Sequence, residues 1–82
     1  MFSAVETPTE APNPAVRLVD GLGGRAATAE RFRVSSEAVR LWLKNGIPAD
    51  RALDVEEETR GTDFAISANE VLQYQRQQRQ AA

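Results

Sequence analysis

The apolar residues of this chain fall in short runs at helical spacing, and a turn signal cuts each run before it can lengthen. Val16, Val19 and Leu22 recur at i, i+3 and i+6 and meet the glycines of residues 21–24. Ala26, Ala29 and Phe32 repeat that spacing and give way to a short turn holding Val34. Ala38, Val39 and Trp42 form a third set, closed by Asn45-Gly46. Ile47-Pro48 opens a fourth, with Ala52, Leu53 and Val55, that stops near Gly61. Short amphipathic segments of this kind are predicted to be helices of a few turns that bury their apolar faces on one another. At 82 residues there is room for one such bundle and a modest core. The expected fold is therefore all-α, with about five helices.

Local chemistry agrees with those boundaries. Asn13-Pro14 places an N-cap before a proline at the first helical position. Ser35 is positioned to cap the third helix, and Gly46 to end it. Pro48 starts the fourth helix, and Asp50 falls in its first turn, where the helix dipole favours an acid. Residues 62–66 are predicted to be a short extended stretch. Ser67-Ala68-Asn69-Glu70 fits the S-x-x-E capping box and opens a fifth helix through Val71 and Leu72, which trails into a polar run of Gln and Arg. The organisation expected is a flexible N-terminal arm over 1–12, a folded domain over 13–66, and a C-terminal helix with a polar tail over 67–82.

Composition excludes several functions. The chain has no Cys and no His, so it lacks a thiolate nucleophile and the side chains most used for metal binding and for proton transfer near neutral pH. No cofactor, metal site or catalytic residue is expected, and the chain is not expected to be an enzyme. No apolar run approaches the length of a bilayer span, and Met1-Phe2-Ser3 opens no secretory pattern. A cytoplasmic protein is expected, with no membrane partner. Net charge is −2, but the charges are unevenly spread. Residues 23–51 set Arg25, Arg31, Arg33, Arg40, Lys44 and Arg51 against Glu30, Glu37 and Asp50. The segments on either side are acidic. An acidic protein with a basic middle directs attention to that middle.

Two short helices joined by a tight turn, on a basic surface, make a helix-turn-helix pattern. Ala29 is the small residue needed where the second helix crosses the first, and Val34 can plug the turn into the core. With Val39 and Trp42 inward, Ser36, Arg40 and Lys44 share one outward stripe at i, i+4 and i+8. Cations and a hydroxyl on an exposed helix suit a major groove, where Arg and Lys bond guanine edges or phosphates. Glu37 has two uses: it stabilises the first turn of its helix, and it can accept from a cytosine N4. Leu41 beside the stripe leaves three uses open: packing on a partner, touching a thymine methyl, or simple exposure. Trp42 reads as a core anchor and not as a stacking platform.

The run Leu22-Gly23-Gly24-Arg25-Ala26-Ala27, with Ala29, Val34-Ser35, Ala38-Val39, Trp42, Gly46-Ile47-Pro48-Ala49, Arg51-Ala52-Leu53 and Glu56-Glu57, resembles the YdaS/Cro-like helix-turn-helix regulators of bacteria and prophages. The resemblance covers roughly residues 16–60. It implies a helical fold of the lambda-repressor type, bound to double-stranded operator DNA as a homodimer. It places Arg25 at the start of the support helix against phosphate, and Ser35, Ser36, Glu37, Arg40 and Lys44 on the recognition surface. Base contacts are expected from Ser36, Glu37, Arg40 and Lys44, and phosphate contacts from Arg25, Arg33 and Ser35. One departure is Arg33, where the family usually has Gly in a turn of positive φ. Either the turn differs here or Arg33 is kept for a phosphate. The C-terminal helix is a second departure, since the family core does not require it.

Two other patterns point to different functions and fail on context. Gly21-Leu22-Gly23-Gly24-Arg25-Ala26 matches a dinucleotide-binding G-x-G-x-x-A, but it lacks the strands that such a loop must join. The acids among residues 54–58 read as a solvated helix face, without the loop that gathers oxygens round a cation. The expected function is a sequence-specific DNA-binding regulator of repressor type, acting at the nucleoid. The alternative is a protein-interaction module, an antitoxin or adaptor, working through apolar positions of the C-terminal helix such as Val71 and Leu72. The two can coexist, with a protein co-regulator on that helix.

Overall fold

The computed structural model describes residues 12–81. The N-terminal arm read over 1–12 lies, except for Pro12, outside the described residues. The described chain forms five α-helices, α1 (Pro14–Leu22), α2 (Arg25–Phe32), α3 (Ser36–Asn45), α4 (Ala52–Thr59) and α5 (Ala68–Ala81), with a single 3₁₀ turn (Ala49–Arg51) before α4. No strand occurs among the described residues. The fold is the small all-helical bundle expected.

Its boundaries follow the caps. Asn13 accepts the Ala15 N–H through its side-chain oxygen at 2.9 Å. The same amide donates to the carbonyls of Trp42 and Leu43, both at 3.0 Å, so the cap of α1 also pins the C-terminal end of α3. Ser35 Oγ accepts from Ala38 N at 3.0 Å, and Ser67 Oγ from Glu70 N at 3.1 Å. The return arm of the expected capping box is diverted. The Glu70 carboxylate pairs with Arg17 on α1 at 2.9 Å, and Arg17 also donates to Ala65 O.

α2 packs on α3, α4 on α5, and α1 touches α2, α3 and α5. The core gathers Leu18, Val19, Ala29, Phe32, Val39, Trp42, Ile47, Val55, Ile66 and Val71. Four expectations need correction. α1 buries Ala15, Leu18 and Val19, leaving Val16 50% exposed. The roll of α1 is set by Asn13 against α3 and Arg17 against α5, contacts remote in sequence. Leu53 is 70% exposed, because α4 turns Ala52, Val55 and Thr59 inward. Thr59 occupies a buried polar position: its hydroxyl donates to Val55 O at 2.8 Å and accepts from Ile66 N at 3.0 Å. Pro48 is not the first helical residue. It is extended (φ −60°, ψ 147°) and leads into the 3₁₀ turn. Residues 62–64 turn instead of extending, with Thr62 bonded back to Thr59 O.

Gly46 is where the C-terminal helix closes on the rest. Its φ is +99°, and a Cβ there would lie 2.8 Å from Tyr74 and Gln75. Gln75 donates to Ile47 O at 2.6 Å across this approach. α5 thus braces the loop that leaves α3, and Val71 belongs to the core, not to a docking surface.

Trp42→Ala is expected to destabilise the fold by about 3–5 kcal/mol through lost burial and a cavity. Leu53→Ala should change stability by no more than about 0.5 kcal/mol, as at other exposed positions. Denaturant unfolding of both variants checks the register of α3 and α4 together.

Candidate nucleic-acid interface

α2 and α3 are joined by residues 33–35, a turn of three residues. Arg33 adopts the left-handed conformation, φ 58° and ψ 45°, as the C-cap of α2. Of the two alternatives at this position, the turn is therefore retained and a non-glycine residue accepts its positive φ. The Arg33 N–H closes on Glu30 O and the Val34 N–H on Ala29 O, satisfying the last carbonyls of α2. Val34 is half-buried against the core, plugging the turn. Ser35 then starts α3.

This turn and the core together determine what α3 shows to solvent. Val39 and Trp42 are buried, and Phe32 meets the Trp42 ring edge-on, 5.7 Å between centroids at 75°. The opposite side carries Ser36, Glu37, Arg40 and Lys44, all exposed. Arg25, Arg33 and Ser35 are exposed as well, at the start of α2 and in the turn. Arg25, Ala26, Ser36, Glu37 and Arg40 line one shallow hollow between the first turns of the two helices. Five of the seven residues singled out from the sequence therefore lie on or beside the first turns of α2 and α3 or in the joint between them. Arg40 and Lys44 extend the surface along α3. Leu41, 41% exposed, flanks it.

The charges on this surface are not equivalent. Arg31 is drawn off to Glu58 on α4, at 2.7 Å, and Arg51 sits 3.7 Å from Asp54. Arg25, Arg33 and Lys44 have no carboxylate within ion-pair distance among the described residues. Arg40 is bound through two nitrogens: its Nε donates to Glu37 Oε1 at 3.1 Å and its Nη2 to Oε2. Hydrogen bonds from Arg40, then its charge, hold the Glu37 carboxyl below its ordinary range, and Arg25 adds in the same direction. Arg40 is raised in turn by Glu37. Opposite charges at i, i+3 on one helix are the signal of this pairing in the sequence.

Gly24, the N-cap of α2, supplies no side-chain cap. The first N–H groups of a helix have no partner within it, which chemically suits the start of α2, at Arg25, to a phosphate. No group of three or more acidic side chains among the described residues could hold a metal ion, and no helix there is long and apolar enough to cross a membrane.

The family described as bacterial toxin YdaS matches residues 16–70, from α1 into the first turn of α5. The chain belongs to the YdaS family. No curated protein and no solved structure matches it. The YdaS match spans the whole α2–turn–α3 unit, while Asn13 and Gln75, which bond the backbone at and just past the end of α3, lie outside it.

A carboxyl titration by NMR should place Glu37 below the ordinary glutamate value of about 4.3. Arg40→Ala should return it toward that value. Because the folded value is the lower one, whatever stability the pair adds is present above the unfolded value and lost as pH falls through the folded one.

Proposed function

We propose that this YdaS-family protein binds double-stranded DNA in a sequence-specific way, as a transcriptional regulator of repressor type acting at the nucleoid. The observation that carries the proposal is the outward face of α3, where Ser36, Glu37, Arg40 and Lys44 are all exposed on a helix held rigidly from behind by Val39 and Trp42. A ten-residue helix is about 15 Å long, and a major groove about 12 Å wide admits it. Arg25 at the first turn of α2, Arg33 in the turn and Ser35 at the start of α3 are exposed next to that face, as phosphate contacts require. Ser36, Arg40 and Lys44 are assigned to base edges, Glu37 to the same face in its pair with Arg40, and Arg25, Arg33 and Ser35 to phosphates. A single unit reads few base pairs, so a homodimer on two half-sites is the form proposed to act.

The proposed activity is binding, not catalysis. Interaction with a protein through α5 is a weaker second reading, because Val71 is buried and only Leu72 of the named pair is partly exposed.

A duplex selected by the protein from a random pool, and a scrambled duplex of the same composition, test the assignments. Arg40→Ala should cost about 1–3 kcal/mol on the selected duplex, and less on the scrambled one. Arg25→Ala should weaken both alike and lower the salt slope by about one. Arg33→Gly should do the same with no loss of thermal stability, since glycine adopts φ 58° freely. Selection that enriches no sequence would count against specific DNA binding.

A further inference from the structure

Glu37 places a carboxylate in the middle of a surface otherwise suited to polyanions. It follows Ser36 on α3, and Arg25, Ser36 and Arg40 line the same hollow with it. A solvated glutamate there would weaken binding to any DNA. Its geometry indicates a more particular use. Glu37 takes the Nε and Nη2 edge of the Arg40 guanidinium with both carboxylate oxygens. A guanidinium has five N–H donors in a fixed plane. Two are committed to Glu37, and the three that remain include one N–H on each terminal nitrogen, side by side along the free edge of the plane. Those two form the end-on fork that matches O6 and N7 of a guanine.

We infer that Glu37 is a positioning residue: it holds Arg40 end-on for a guanine edge and neutralises it toward phosphate. This rests on the DNA-binding reading above and refines it, since Glu37 acts through Arg40 and does not read a base itself. Two physical effects support the assignment. A free arginine has many rotamers and loses that freedom on binding; a bidentate partner on the same helix restricts them beforehand. The paired side chains also carry no net charge, so long-range attraction to a phosphate is cancelled while the directional bonds to a guanine edge survive. Selectivity then comes from weakened nonspecific binding as much as from strengthened specific binding. Both side chains are largely exposed, 49% for Arg40 and 63% for Glu37, and an exposed pair contributes little to folding. Its effect should therefore be read in DNA selectivity and not in stability.

Glu37→Gln keeps the size of the side chain and removes its charge. Binding of the parent, Glu37→Gln, Arg40→Ala and the double variant should be measured by fluorescence anisotropy on the selected and the scrambled duplex, at a low and a doubled KCl concentration. Glu37→Gln should bind the scrambled duplex more tightly, steepen its salt slope by about one, and reduce the ratio of selected to scrambled affinity by roughly tenfold. In the Arg40→Ala background the same substitution should leave that ratio unchanged, and melting temperatures should not move in either case. Equal changes on both duplexes in the Arg40-containing protein would overturn the inference. So would a loss on the selected duplex that persists without Arg40, which would make Glu37 a direct reader of a base. Failure of the parent to prefer any duplex would instead reject the DNA-binding reading itself, a separate result visible before any variant is made.

Discussion

Phe32 and Trp42 meet edge-on across the joint between α2 and α3, and the position of α3 depends on that contact. An aromatic pair of this geometry is worth about 0.5–1.5 kcal/mol beyond the area it buries. Its larger consequence is directional. With Trp42 and Val39 fixed inward, helical geometry leaves no choice about which side chains face water. Ala29 is buried in the core beneath the joint, and the positive φ of Arg33 lets the chain turn back within three residues. The outward face of α3 is thus determined by the core beneath it.

The remaining helices hold that unit in place. Asn13 satisfies both the start of α1 and the end of α3 with one amide. α5 reaches the same end of α3 through Gln75, in a gap that only a glycine at position 46 leaves open. The C-terminal end of α3 is therefore restrained twice, although neither contact lies on its exposed face. Such second-layer support holds a binding helix more precisely than its own short length could.

Much of this was legible in the sequence because the decisive signals are local. The caps at Asn13, Ser35 and Ser67, the turn at residues 33–35 and the inward Val39 and Trp42 depend only on neighbours within a turn or two. The misassigned positions depend on distant ones. Val16 and Leu18 are equally plausible inward residues until Asn13 finds α3 and Arg17 finds Glu70. Leu53 looks like core until Thr59 satisfies its hydroxyl within the structure and takes the inward place. Glu70 fits a capping box in spacing, yet a cation on another helix competes for its carboxylate. The seven candidate interface residues are all exposed as expected. The engagement of Arg40 by Glu37 is a local pattern that spacing alone could have revealed.

The account stands on the claim that the α2–turn–α3 surface meets DNA. The most direct test is to titrate isotope-labelled protein with a selected duplex and follow backbone and side-chain NMR signals. The largest shifts should fall on Arg25, on residues 33–37, and on Arg40 and Lys44, while Leu53 and Glu57 on α4 stay still. Shifts concentrated on α4 or α5, or none at a duplex concentration that saturates a binding assay, would contradict it.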